Sequence, residues 1–161
     1  MNYWILQSNP DSFRILDWLR DFNWLGDSNL IDCWHISQHK EKVKLRDIAF
    51  IWKSKGIKSA VAGIYAKAVV VPNPQKFPLV EKETDYFVGE AGRAEAKRLD
   101  NPEKLKTIAI KYTGMYLDKP LLSEVMERMS DLKGMTIFSN SRRGIQRVER
   151  EQGGIIESML G

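Results

Sequence analysis

Short runs of alternating or continuously apolar residues, separated by Gly, Pro and Asn, recur along this 161-residue chain. Such runs are typical of β-strands, because successive side chains of a strand point to opposite faces of a sheet. In Tyr3–Gln7 both faces carry apolar residues, which predicts a strand buried on both sides. The predicted strands are Tyr3–Gln7, Ile48–Trp52, Val61–Val71, Leu105–Tyr112 and Gly144–Val148, with a short one at Thr84–Val88.

Helical spacing of apolar residues occurs toward the two ends of the chain. Asn9 as a cap and Pro10 as the first helical position predict a helix that runs through Phe22. The segment Asp118–Pro120 begins a second predicted helix, whose apolar residues from Leu121 to Met129 lie three and four positions apart. A last helix is predicted at Arg150–Leu160, although each of its two central glycines costs about 1 kcal/mol.

The resulting order is β, α, several β, α, β, α, without regularly spaced βαβ units. Short strands in the middle and helices at the edges predict an α+β fold, a mixed β-barrel with helices packed on its outside. Residues 1–161 have the length of a single domain. The charged segment Glu90–Asp100 is compatible with a short helix or with an exposed insertion.

Composition excludes several classes of protein. No apolar run approaches the roughly 20 residues of a membrane span, and the N-terminal residues do not have the pattern of a secretory signal. A single cysteine, Cys33, rules out an internal disulfide and a Cys-based zinc cluster. With two histidines, His35 and His39, the sequence predicts neither a metal site nor a cofactor. We expect a reduced, cytoplasmic location.

Positive charge is concentrated in one window. Lys40–Lys58 contains seven basic and two acidic residues, so the rest of the chain is close to neutral within a net charge of +4. Such a patch on a near-neutral body favours an anionic partner such as a nucleic-acid backbone, although a merely solvated face has the same composition. The predicted phosphate contacts are Lys40, Arg46, Lys53 and Lys55.

Two of the five tryptophans lie inside or beside this basic window. Trp34 follows a loop and precedes a polar stretch, and Trp52 ends a strand that continues into Lys53. An aromatic ring can stack on an unstacked base while Lys or Arg binds the backbone, so Trp34 is a candidate base-binding residue. Trp52 is compatible with either a core or a binding role, whereas Trp4 and Trp18, with their apolar neighbours, are predicted to be core.

Catalytic patterns are weak. Cys33 and His35 are two residues apart, as in some thiolate pairs, but the sequence shows no third residue to orient them. A buried, inert cysteine is the commoner role. His35 and His39 have a zinc-like spacing of four without a third ligand. No phosphate-binding Gly-rich loop precedes a Lys-Ser or Lys-Thr pair.

The order of several motifs resembles that of the EVE domain family. Tyr3–Asp11 resembles the opening segment of the family, and Trp34–Ser37 resembles its Trp-containing segment after the first helix. Arg46 stands where the family usually has Gly. The remaining motifs, in family order over essentially the whole chain, are Asp47–Ser54, Gly63–Ala66, Leu117–Leu121 and Gly144–Val148.

The resemblance implies a PUA-like pseudobarrel flanked by helices and kinship with YTH domains and other modules that hold a modified base in an aromatic pocket. Family members are linked to modified cytosines in DNA and to RNA. The resemblance further implies that Trp34 is a pocket wall, Trp52 a second wall, and Ser8, Asn9 and Ser37 hydrogen-bonding partners. Helix capping is an equally good explanation of Ser8 and Asn9.

The favoured hypothesis is therefore a non-catalytic nucleic-acid binding module that reads a modified base in DNA or RNA. A second hypothesis is an enzyme of the wider PUA-like and ASCH group that acts on a nucleobase, nucleotide or RNA. A third is a scaffold domain whose basic face binds an acidic protein.

Overall fold

Seven strands form one curled, mixed sheet in the computed structural model, which describes residues 1–100, 105–139 and 144–161. The order along the sheet is β2-β5-β4-β3-β1-β7, and β6 pairs with β4. Strands β1 and β3 are parallel, and the other neighbours are antiparallel. The strands are β1 (Tyr3–Ser8), β2 (Asp32–His35), β3 (Ile48–Lys53), β4 (Gly63–Val71), β5 (Thr107–Met115), β6 (Leu121–Leu122) and β7 (Gly144–Val148).

Helices pack around this half-barrel and confirm the α+β architecture that the sequence predicts. None of the helices in the described ranges combines the length and hydropathy of a membrane span. The α-helices are α1 (Ile15–Asp21), α2 (Gly89–Ala96), α3 (Ser123–Glu127), α4 (Thr136–Ser139) and α5 (Arg150–Leu160). The 3₁₀ turns are Lys40–Lys42, Val80–Tyr86 and Lys97–Asp100.

The two faces of the sheet bury two different hydrophobic clusters. In β1, Trp4 and Leu6 belong to the first cluster, together with Trp18 of α1, whereas Tyr3 and Ile5 belong to the second. This division follows the alternation of side chains along a strand. All six residues of β1 are buried, which confirms the predicted strand with apolar residues on both faces.

The first helix begins later than the sequence predicts. The side-chain oxygen of Asn9 accepts a hydrogen bond from the Asp11 amide at 2.8 Å, which closes a turn and does not cap a helix. Phe13 forms an isolated antiparallel β-bridge with Phe87. Because this pairing keeps residue 13 out of the helix, α1 starts at Ile15. The capping role of Asn9 is therefore wrong.

Strand β4 begins at Gly63 instead of Val61, β5 spans Thr107–Met115 instead of Leu105–Tyr112, and β2 was not predicted. Elsewhere, long-range pairing overrides local pattern. The predicted strand Thr84–Val88 falls largely within the 3₁₀ turn Val80–Tyr86. Leu121–Leu122 pairs with β4 as β6, so helix α3 begins at Ser123. Strand β7 and helix α5 have the predicted bounds, and Glu90–Asp100 is helical.

Candidate functional site

A cavity of about 740 Å³ opens where the two ends of the curled sheet approach each other. The ends of β1 and β7 line it from one side, β2 lines it from the other, and α2 with the following 3₁₀ turn closes it. The approach is close, because a Cβ built on Gly144 would lie 3.7 Å from Oγ of Ser37. The volume is typical of a site for a small organic ligand.

Trp34, the predicted base-binding residue, forms part of the cavity wall. All five tryptophans lie in the described residues, and the other four are at most 3% exposed. Trp34 is half-buried, packs against the first core cluster and lines the cavity. One part of the indole is thus fixed by the protein, while another part is available to a ligand.

The three small polar residues implied by the family resemblance also line the cavity. Ser8 is buried at the end of β1, Asn9 is half-buried in the turn that follows, and Ser37 is exposed just after β2. Strand β1, next to one end of the sheet, and β2, at its other end, therefore bring residues 8 and 37 to one rim. Their hydroxyl and amide groups can donate and accept hydrogen bonds.

Asp32 lines the cavity and belongs to a buried hydrogen-bond network. Its Oδ2 accepts hydrogen bonds from the Tyr112 hydroxyl and, at 3.0 Å, from Nε1 of Trp18. Burial, reinforced by the nearby charge of Glu83, raises the pKa of Asp32 to about 7. This carboxyl group can therefore change its protonation state near neutral pH.

Cys33, His35 and Glu83 converge on the same cavity. Cys33 and His35 share one face of β2 because they are two residues apart, and Glu83 comes from the 3₁₀ turn Val80–Tyr86. One ligand atom from each residue lies within 4.8 Å of the others, and Nε2 of His35 is 3.1 Å from Oε2 of Glu83. Burial raises the pKa of Cys33 to about 12, so its thiol is protonated at neutral pH.

Trp52 lies away from the cavity, contrary to the suggested second wall. Its side chain is 3% exposed, belongs to the second core cluster and packs against Phe138 with ring centroids 6.2 Å apart. Strand alternation explains this position, because Trp52 shares a face of β3 with Ile48 and Phe50, whereas Ile51 faces the first cluster.

Lys53 is also displaced from its predicted role as a phosphate contact. Its side chain is buried, and its ammonium donates hydrogen bonds to the Val61 carbonyl and, at 3.3 Å, to Oγ of Ser59. Burial lowers the pKa of Lys53. This lysine stabilises the connection between β3 and β4 and has no surface from which to reach a phosphate.

The basic window is divided between the two ends of β3. Lys40 and Arg46 are exposed before the strand, and Lys55 is exposed after it. The six residues of β3 separate these ends by roughly 17 Å at 3.3 Å per residue. The Ser54 amide donates to the Ser8 carbonyl at 2.9 Å, so Lys55 adjoins the cavity rim. Arg46 adopts a left-handed φ of 70°, which agrees with the glycine usual at this place in the family.

Sequence reasoning missed several residues of this cavity. Glu83 lies just before the predicted strand Thr84–Val88, and the sequence predicts no role for it or for Asp32. Arg98 and Lys106 lie outside the basic window, yet all four residues line the cavity. An isolated acidic residue far along the chain carries no local pattern. The signal available for Asp32 was its position beside Cys33 in an otherwise apolar segment.

Comparisons with known proteins agree on one family and one fold. The model of the EVE domain family matches residues 2–159. No curated protein matches the chain. Rpa0253 from Rhodopseudomonas palustris has a TM-score of 0.63 at 17% identity, covering 100% of this chain and 94% of that one. A hypothetical protein from Leishmania major has a TM-score of 0.62 at 20% identity, covering 99% and 94%.

Human THYN1, solved in complex with DNA containing 5-methylcytosine, has the same fold. Its TM-score is 0.61 at 17% identity, and the alignment covers 99% of this chain and 98% of that chain. These structures confirm the half-barrel with helices, and the family match confirms the resemblance seen in the motifs. Because that match spans nearly the whole sequence, the chain belongs to the EVE domain family.

Proposed function

We propose that this EVE domain binds nucleic acid and takes one modified base, unstacked from its strand, into the cavity beside Trp34. The observation that carries this proposal is the position of Trp34. It is a half-buried aromatic wall in a cavity of about 740 Å³, and small polar residues line the rim. A ring held in this way can stack on a base, and the rim can hydrogen-bond its edge.

The polar groups around Trp34 provide the means of reading a base edge. The Ser8 and Ser37 hydroxyls can donate or accept, and Asn9 keeps an amide nitrogen as donor while its oxygen accepts from Asp11. A modification such as a methyl group adds apolar area that the aromatic wall can cover. This combination supports selection of a modified base over its unmodified form.

Cations near the cavity are suited to the phosphate backbone. Arg98 and Lys106 are exposed and line the cavity, and Lys55 adjoins its rim. Phosphate contacts position a strand without reading its sequence. We expect these three residues, instead of the buried Lys53, to provide sequence-independent affinity.

A modified cytosine in DNA is the ligand class we favour, because the fold is shared with human THYN1, which was solved with DNA containing 5-methylcytosine. A modified base in RNA is the second ligand class, and the two are distinguished by the binding experiment below. Binding is favoured over thiol catalysis because the raised pKa of Cys33 leaves little thiolate to act as a nucleophile at neutral pH.

The test measures binding of the wild-type protein and of Trp34→Ala to matched DNA and RNA oligonucleotides, with and without one modified base. Stacking contributes about 1–3 kcal/mol per base, so loss of Trp34 should reduce affinity for the modified strand roughly 5- to 150-fold. Trp34→Phe is the control, since it keeps an aromatic wall. Equal affinity of the folded Trp34→Ala and wild-type proteins for the modified strand would refute the proposal.

A further inference from the structure

Three side chains with metal-binding atoms meet at one place in the cavity wall. Cys33 and Glu83 are buried, His35 is half-buried, and one ligand atom of each lies within 4.8 Å of the other two. In tetrahedral zinc sites, ligand atoms at 2.0–2.3 Å from the ion are roughly 3.3–3.8 Å from one another. Side-chain rotations that shorten the distances between these atoms by about 1 Å would therefore bring all three within bonding distance of one ion.

The backbone holds the three residues in place from independent parts of the chain. Cys33 and His35 are paired with β5 in the sheet. The segment that carries Glu83 is attached to the start of α1, where the Arg14 amide donates to the Tyr86 carbonyl at 2.8 Å. The cluster is thus part of the folded framework and does not depend on a surface loop.

One atom of the cluster lacks the partner that a buried polar atom usually has. Nδ1 of His35 is buried and has no hydrogen-bond partner among the described residues. The ring is therefore held in the cluster through Nε2 and not through Nδ1. Nε2 of the same ring lies 3.1 Å from Oε2 of Glu83, so an ion in the cluster would replace this contact and coordinate Nε2 and the carboxylate together.

The buried carboxylate of the cluster is suited to a cation. Asp32 and Glu83 are 3% and 4% exposed, and Oε2 of Glu83 lies 3.1 Å from Nε2 of His35. A divalent ion that coordinates the buried Glu83 carboxylate would offset its charge. A thiolate, an imidazole and a carboxylate together are a donor set suited to Zn²⁺.

We propose that Cys33, His35 and Glu83 form a binding site for a divalent transition-metal ion, with Zn²⁺ as the preferred ion. The site uses three protein ligands, and its fourth position faces the cavity. Binding releases the thiol proton of Cys33 to solvent as the sulfur coordinates the ion. This proposal does not depend on base binding, since it requires the ion alone.

The experiment titrates the full, reduced chain with Co²⁺, which replaces Zn²⁺ and has visible and near-ultraviolet bands. A thiolate-to-cobalt charge-transfer band with one ion per chain is expected, and excess Zn²⁺ should abolish it. Because the chain has a single cysteine, this band identifies Cys33 in the wild-type protein without any substitution. A folded wild-type protein that shows no such band at saturating Co²⁺ would overturn the proposal.

Matched variants then identify the other ligands. His35→Asn and Glu83→Gln should each weaken Zn²⁺ binding at least tenfold in calorimetry. His39→Asn is the control, because His39 is the other histidine and its left-handed φ of 63° is readily adopted by Asn. Unchanged affinity in a folded His35→Asn protein, or a loss confined to His39→Asn, would contradict the assignment.

Oligonucleotide binding in the presence of a chelator keeps the two proposals apart. If the wild-type protein shows no cobalt band but still binds the modified strand, the metal site is rejected and the proposed function is not. A cobalt band without any oligonucleotide binding would reject the proposed function alone.

Discussion

The ionisation of Asp32 should make the stability of the protein depend on pH. Its pKa is about 7 in the folded protein against an ordinary value of 3.8. Between about pH 4 and pH 7 the folded state holds a proton that the unfolded state has released, so stability falls as pH rises through this window. The effect is at most about 4 kcal/mol, because each pKa unit corresponds to about 1.4 kcal/mol.

Urea denaturation of the wild-type and Asp32→Asn proteins at pH 4, 5.5 and 7, with a chelator present, measures this effect. The amide of Asn keeps an oxygen to accept from Tyr112 and Trp18 and does not titrate. The wild-type protein should lose stability relative to Asp32→Asn as pH rises. Parallel pH dependences in the two proteins would mean that Asp32 does not carry the effect.

Lys53 and Lys55 are both lysines and lie two residues apart, but we expect Lys55 to affect nucleic-acid binding and Lys53 to affect stability. Lys55→Ala should reduce the slope of log affinity against log salt concentration by about one, because it removes one phosphate contact from an exposed position. Lys53→Met should instead lower the unfolding temperature, because the Val61 carbonyl and Ser59 lose a buried donor.

Salt titrations of oligonucleotide binding and thermal melts of both variants separate these roles. A salt slope altered by Lys53→Met alone would show that the exposed and buried positions had been assigned the wrong way round.

At the scale of an element, helix α5 contains two neighbouring glycines with different functions. A Cβ on Gly153 would lie 2.2 Å from Cγ of Tyr3, so this glycine lets the helix pack directly against β1. A Cβ on Gly154 would meet nothing within 4 Å. The first glycine is required by packing, while the second only lowers helix propensity.

Gly154→Ala should therefore stabilise the protein by about 0.5–1 kcal/mol. Gly153→Ala should destabilise it by about 1–3 kcal/mol, because the methyl group forces α5 away from the ring of Tyr3. Chemical denaturation of the two single variants makes the comparison. Equal and stabilising effects would show that α5 does not rest on Tyr3.

On the scale of the whole molecule, one sheet separates two cores that share its strands. Each face of β1 contributes to a different cluster. Strand β1, near the start of the chain, pairs with β3 and also with β7, near the end of the chain. Neither cluster can be exposed without breaking the sheet that supports the other. We expect residues 1–161 to unfold as one cooperative unit.

Far-UV circular dichroism and tryptophan fluorescence should then report the same denaturation midpoint. The fluorescence comes mainly from the first cluster, which contains Trp4, Trp18 and Trp24. A Trp52→Phe variant removes the tryptophan of the second cluster and provides the comparison. Separate midpoints for the two probes would indicate two independently unfolding parts.

The amino-acid sequence by itself determined the properties that depend on neighbours along the chain. Alternation located β1 and β3 and predicted that Trp52 shares a face with Phe50, and the apolar spacing in Arg150–Leu160 located α5. The same local reasoning singled out Trp34, because an indole beside a polar stretch departs from the core pattern. The motif order was enough to identify the family.

Only the tertiary structure decided which face, which end and which distant partner each residue meets. Alternation shows which residues of a strand share a face with Trp34 or Trp52, but it does not show which face of the sheet borders the cavity. Glu83 joins His35 across 48 residues of sequence, and its segment is positioned by the Phe13–Phe87 bridge. Lys53 is buried while Lys55 is exposed, because the β3–β4 connection folds back over one ammonium group and not over the other. These outcomes follow from non-local pairing, which a local pattern of residues does not encode.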